Sequence, residues 1–268
     1  MGGMIIAALP FAFHFGIFSK EIEATKDIKE ILIFIIIITI SIFLFIFIES
    51  SFSEKEWISA VFHVISASTT TGFQFTDLSQ TSITGKILLI ILMLIGGTAF
   101  STAGGIKIAR LLLIFQELNK HKSRYSDKNS HNNNQPSVIS ATAIQFRKRS
   151  VPNKKIISIP QIDTNRFYII SDKAFREALF VVILFILFTI VTAICMYYIN
   201  QNSNNNNNVT FIDVLFETAS TISNTGLSAG LTTFDLDSVS KLILSFNMIM
   251  GRFEIIAILY IFISKLRR

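Results

Sequence analysis

One cysteine and four prolines among 268 residues remove two common architectures at once. Cys195 stands alone inside an apolar run, so no disulfide framework holds this chain together. His, Cys, Asp and Glu nowhere take the spacing of a metal centre, and neither a nucleophile elbow nor a phosphate-binding glycine loop occurs. Ser and Thr are frequent in the apolar stretches, yet no base is placed to activate them, so an intramembrane enzyme is not expected. The opening residues, Met1-Gly-Gly-Met-Ile-Ile, lack the basic n-region and small-residue cleavage pattern of a signal peptide. Met1–Phe18 reads instead as the last part of a membrane helix interrupted by Pro10, as in a chain that begins in the middle of something longer.

What is abundant is apolar surface. Hydrophobic residues make up 51% of the chain and Phe alone supplies 26, with a mean hydropathy of +0.55. This is the composition of a polytopic membrane protein. Ile31–Ile48 and Ala178–Tyr198 are free of charge and long enough to cross a hydrocarbon core. Lys86–Phe115 is a third apolar stretch, broken at Gly96-Gly-Thr-Ala-Phe-Ser-Thr-Ala-Gly-Gly105. Four glycines there would weaken any helix running through. Lys241–Ser264 is a final span carrying Arg252 and Glu254.

Charge is unevenly placed. The net charge is +6, and residues 119–173 hold eleven Lys and Arg against three Asp. The chain ends Lys265-Leu-Arg-Arg268, whereas Glu49–Glu56 and Asn200–Lys241 are poor in Lys and Arg. The positive-inside rule puts the 119–173 loop and the C-terminus in the cytoplasm of a multi-pass plasma-membrane protein. In so apolar a chain, nucleic acid is not the expected partner of that basic loop. The Asn204–Asn208 tract reads as an extracellular turn, and Ser123–Thr164 as a flexible cytoplasmic linker.

Two stretches share one pattern. Phe62-His-Val-Ile-Ser-Ala-Ser-Thr-Thr-Thr-Gly-Phe73 lies 154 residues before Phe216-Glu-Thr-Ala-Ser-Thr-Ile-Ser-Asn-Thr-Gly-Leu227. At that offset Phe62 meets Phe216, Ser66 meets Ser220, Thr71 meets Thr225 and Gly72 meets Gly226. The half-helices ahead of the two turns, Trp57–Thr70 and Thr210–Ser223, are too short to cross a bilayer and fit re-entrant segments. The repeat unit is span, half-helix, Thr-Gly turn, span. A potassium ion is dehydrated by a ring of backbone carbonyls, and glycine lets successive carbonyls aim at one axis. The C-terminal end of a half-helix adds negative dipole. Thr70, Thr71, Gly72, Asn224, Thr225 and Gly226 have these properties. They also suit plain helix caps, a reading the duplication makes the weaker one. His63 and Glu217 sit at equivalent half-helix positions, either as a proton relay or as capped polar residues.

Ser68-Thr-Thr-Thr-Gly-Phe73, Gly96-Gly-Thr-Ala-Phe-Ser-Thr-Ala-Gly-Gly-Ile-Lys107, Ser223-Asn-Thr-Gly-Leu-Ser228 and Gly251-Arg-Phe-Glu254 together resemble the C-terminal half of the Trk/Ktr/HKT potassium transporter superfamily, over nearly the whole chain. The resemblance implies an all-α membrane protein with two helix–pore-helix–helix repeats of a pseudo-fourfold potassium-channel-like pore. Residues 1–30 would be the end of a preceding repeat and a connector, 31–118 the third repeat, 119–173 the linker and 174–268 the fourth repeat. The filter would be Thr70, Thr71, Gly72, Asn224, Thr225 and Gly226. An intramembrane gating loop would span 96–107, with Gly96, Gly97, Ser101, Thr102, Gly104, Gly105 and Lys107, and Arg252 would be a cationic barrier touching it. Small-residue helix packing is the plainer account of the loop, and snorkelling that of Arg252. No cofactor and no resident metal are implied; potassium is the substrate. Expected partners are an N-terminal half with two further repeats, either upstream of these residues or encoded separately, a second copy of the full subunit and a cytoplasmic nucleotide-binding regulatory subunit. A less selective sodium/potassium transporter and a non-conducting membrane assembly subunit are the rival functions.

Overall fold

The computed structural model describes residues 1–11, 13–14, 25–49, 54–118, 164–202, 209–234 and 236–252. The described residues form α1 (Gly2–Ala7), α2 (Thr25–Glu49), α3 (Glu54–Ser68), α4 (Ile83–Ile95), α5 (108–118), α6 (Thr164–Asn202), α7 (Phe211–Ile222) and α8 (Ser238–Arg252), with a 3-10 turn at Leu78–Gln80 and no strand among them. Two compact units result: Met1–Leu112 with Ala178–Arg268, and Leu113–Glu177. In the second unit the described residues, 113–118 and 164–177, are helical.

α2 is apolar on every side, which marks either a buried helix or a membrane span. Its exposure decides for the span: Phe43, Leu44 and Phe47 are uncovered, Phe47 by 82%. At 1.5 Å per residue its 25 residues reach about 37 Å, enough for a hydrocarbon core. The apolar part of α6, Phe175–Gln201, shows the same uncovered Phe, Leu and Ile. α6 begins at Thr164, ten residues inside the expected linker, because charged and polar turns extend the helix before its apolar part. Residues 119–163, Asn204–Asn208, Glu254 and the end of the last span lie outside the described residues.

α3 and α7 have 15 and 12 residues, about 22 and 18 Å, so neither crosses alone. Each lies in the interior of the first unit. α3 packs on α1, α2 and α4, while α7 packs on α4 and α8. One apolar cluster joins Val64 and Ala67 of α3, Leu89 and Met93 of α4, and Phe216 and Ala219 of α7. A second sets Ile222 against Ile106 and Phe185 of α6. The starts of the helices are fixed locally. Thr210 and Asp213 form a reciprocal capping box on α7. Ser82 caps α4 and is itself bound by Glu49 at the end of α2, which accepts its hydroxyl at 2.7 Å and its N–H at 3.1 Å. In the loop between α3 and α4, the backbone N–H of Ser79, with its hydroxyl, donates to Asp77 and holds that carboxyl below its ordinary value.

Candidate functional site at two equivalent turns

α3 and α7 end in the same pair of backbone bonds, although Gly226 N–H also donates to Ser220 Oγ at 3.1 Å and the equivalent Ser66 Oγ has no partner among the described residues. Thr70 N–H donates to Ala67 O (3.2 Å) and Thr71 N–H to Ser66 O (3.1 Å). At the 154-residue offset, Asn224 N–H donates to Thr221 O (3.1 Å) and Thr225 N–H to Ser220 O (2.8 Å). This is a Schellman cap, with the left-handed residue where glycine is usual. That residue is Thr70 at φ 50 in one turn and Asn224 at φ 54 in the other. A β-branched threonine at positive φ is strained, and strain of this kind collects at functional sites. The side chains repeat as well. Thr69 Oγ1 donates to Ile65 O and meets Thr71 Oγ1 at 3.0 Å, while Ser223 Oγ donates to Ala219 O and meets Thr225 Oγ1 at 2.7 Å.

Beyond the caps the chain does not simply leave. Gly72 and Gly226 take φ 74 and 94, a region open to glycine and closed to most residues. At Gly72 the turns touch: a Cβ there would overlap the Thr225 carbonyl oxygen. Two residues on, Gln74 links the turns reciprocally. Its Nε2 donates to Ser228 O at 3.1 Å, and Ser228 N–H donates to its Oε1 at 3.4 Å. Gln74 and Ser228 are themselves related by the offset of 154.

The glycine-rich break, expected as an intramembrane gating loop, lies between α4 and α5, and it reaches both turns. Gly104 N–H donates to Thr70 Oγ1 at 2.7 Å, which engages the strained threonine directly. A Cβ on Gly104 would overlap the Ser223 carbonyl oxygen. The loop is also tied to the end of α1. Thr98 Oγ1 donates to Ala8 O at 2.7 Å and Thr102 Oγ1 to Ala7 O at 2.8 Å, satisfying carbonyls that the helix end leaves open. Ser101 Oγ donates to Thr98 O, and Lys107 Nζ reaches Ser101 O at 3.3 Å. Gly96, Gly97 and Gly105 lie in the same close-packed fold-back, where Ile106 and Lys107 N–H groups donate to Leu94 and Ile95 carbonyls. Of the expected gate residues only Arg252 stands apart. It is exposed at the end of α8, and among the described residues no hydrogen bond joins it to 96–107. Its neighbour Gly251 packs on the Ile222 carbonyl at the end of α7.

Three contacts escaped sequence reasoning. The Gln74–Ser228 pair falls on the same offset, one residue past the two matching stretches. The Gly104–Thr70 bond had no sequence signal. Lys86 and Asp213 form an ion pair at 2.7 Å across the repeats, with side chains 8% and 17% exposed, and Lys86 also donates to Ser79 O. A lysine in an apolar helix was the only hint of that pair. A cavity of about 360 Å³ behind α3, lined by Glu49, Ser59, His63 and Asp77, does not belong to the turns. No cluster of His, Cys, Asp and Glu able to hold a metal occurs among the described residues.

Long lipid-suited helices around two short interior helices, each stopping at a polar turn, define an all-helical integral membrane protein. The chain belongs to the TrkH family of cation transport proteins, whose family model matches residues 30–267. It is 29% identical over 205 residues to an uncharacterized cation transporter of Methanocaldococcus jannaschii, covering 76% of this chain and 36% of that protein. It is 26% identical over 206 residues to the Ktr system potassium uptake protein B of Vibrio alginolyticus, covering 76% and 35%. Identity to the Trk system potassium uptake protein TrkH of Halomonas elongata is 24% over 268 residues, covering 97% and 48%. The chain thus spans at most about half the length of these curated relatives. The crystal structure of the potassium transporter TrkH from Vibrio parahaemolyticus superposes with a TM-score of 0.61 at 23% identity, over 96% of this chain and 50% of that one, which establishes the shared all-helical fold.

Proposed function

We propose that the chain carries two of the four turns of a potassium pore, with Thr70, Thr71, Gly72, Asn224, Thr225 and Gly226 presenting backbone carbonyls to the ion. The observation that carries this reading is the likeness of the two turns in backbone path and cap, at one offset and in mutual contact. Plain helix caps need no second left-handed residue two positions on, and no contact between turns. Two of the relatives are potassium uptake proteins, which points to potassium as the ion. Loop 96–107 restrains flow from below, tied to Thr70 by Gly104 and to α1 by Thr98 and Thr102. Arg252 joins it as a barrier once α8 and the loop approach each other. Residues 31–118 and 174–268 act as the two pore repeats. The remaining two turns come from two further repeats, in the same polypeptide or in a separate one, and the full subunit pairs with a second copy. The basic 119–173 segment and the C-terminus face the cytoplasm, where a nucleotide-binding regulatory subunit docks.

The test is rubidium uptake by the intact protein in cells lacking their own potassium uptake, with and without excess sodium. Uptake that resists sodium supports the reading. Uptake abolished by sodium supports the less selective sodium/potassium transporter, and no uptake at verified membrane levels supports a non-conducting assembly subunit.

A further inference from the structure

Two polar side chains inside the half-helices are not explained by the turns themselves. His63 and Glu217, each 2% exposed, occupy equivalent places 154 residues apart. A buried polar group is costly unless it is hydrogen-bonded, so its partners reveal its task. His63 Nε2 accepts from the N–H of Phe75 at 3.1 Å and of Thr76 at 3.3 Å. With Nε2 accepting, the ring proton sits on Nδ1, which faces Ser59 Oγ at 3.2 Å. Glu217 Oε1 accepts from the N–H of Ala229 at 2.9 Å and of Leu231 at 3.3 Å, and from the Ser228 hydroxyl. Its Oε2 takes the Thr232 hydroxyl at 3.3 Å. Phe75 and Ala229 are again the same position in the two repeats, three residues past Gly72 and Gly226.

We infer that His63 and Glu217 are positioning residues for ion selectivity, each bracing the leg of chain that leaves its turn. The inference rests on the reading of those turns as the ion path. The half-helix end fixes the turn on its entry side only. On the exit side the bond to Ala229 N–H is buried and those to Phe75, Thr76 and Leu231 N–H are partly so, and a backbone N–H removed from water needs an acceptor. An imidazole and a carboxylate differ in shape, size and charge. What they share here is a buried acceptor lone pair aimed at the same backbone N–H. That shared feature defines the task, and it separates bracing from packing. Nε2 of His63 and Oε1 of Glu217 each hold two backbone N–H groups of the exit leg.

The test compares a variant that keeps an acceptor with one of similar length that does not. Glu217→Gln and Glu217→Met are made in the intact protein, and initial uptake of sodium and of rubidium is measured for each. The ratio of the two uptakes is independent of how much protein reaches the membrane. The expected result is a sodium-to-rubidium ratio raised about fivefold or more by Glu217→Met, as loss of a buried acceptor implies, with Glu217→Gln within about twofold of the unmodified protein. Equal ratios in the two variants overturn the inference and leave the reading of the turns intact. An unmodified protein that moves no rubidium overturns that reading, and this inference with it. Should Glu217→Met fail to accumulate, His63→Gln against His63→Met decides by the same ratio at the other turn.

Discussion

At Gly72 a single methyl group is enough to separate the two turns. Its Cβ would meet the Thr225 carbonyl, whereas a Cβ on Gly226 would meet only the Gly72 Cα at 3.9 Å. Both positions have positive φ, which costs an ordinary residue roughly 1–2 kcal/mol. Gly72→Ala adds an overlap with backbone that cannot rotate away. Rubidium uptake per unit of membrane protein is therefore expected to fall further for Gly72→Ala than for Gly226→Ala. Equal losses would mean that φ alone matters and that the turns do not pack as described. At this scale the sequence was informative because the pattern Thr-Gly occurs twice at one offset. It was silent on Thr70, since nothing in a run of three threonines says which one takes a left-handed conformation. Gly104, 34 residues away, supplies the bond that engages it there.

The elements were legible where one physical rule dominates. Uncharged runs gave α2 and the apolar part of α6, and Gly96 ended α4 at the expected break. The polar start of α6 was not legible, because charged turns beyond the apolar core carry no hydropathy signal. Nor was the way α4 is fastened to α7. Lys86 and Asp213 are 127 residues apart, and only the folded chain brings them together. Removing one member of a buried pair strands the other charge and costs about 3–5 kcal/mol, whereas replacing both is far milder. Partial exposure of Asp213 places this pair at the lower end. Lys86→Met is expected to lower the melting temperature of the detergent-solubilised protein, and Lys86→Met with Asp213→Leu to recover part of it, short of the loss of the α7 cap. The loop 96–107 makes a separate prediction. Thr98→Val with Thr102→Val removes both side-chain ties to α1, each worth about 1 kcal/mol. Rubidium uptake should rise, since a looser loop restrains flow less. A fall in uptake at unchanged abundance would assign the loop a supporting role instead.

For the whole molecule, composition sufficed for the class, while charge asymmetry only proposes an orientation. The proposed ring of turns is not legible from this chain, because two turns would supply only part of one. The orientation is checked by placing single cysteines in a protein whose Cys195 has been replaced by serine. A cysteine at Thr233, in the loop before α8, should react with an impermeant thiol reagent from outside the cell. One at Ser130, in the basic segment, should react only after the membrane is opened. The reverse pattern would invert the pore and contradict the positive-inside assignment. The central claim is that the ion loses its water between the two turns, and rubidium can be located directly. A diffraction experiment on crystals of the intact protein grown in rubidium, with the anomalous signal of that ion recorded, answers it. The account predicts rubidium beside the carbonyls of residues 70–72 and 224–226. Rubidium absent from those turns, in a protein preparation that transports it, would contradict the account.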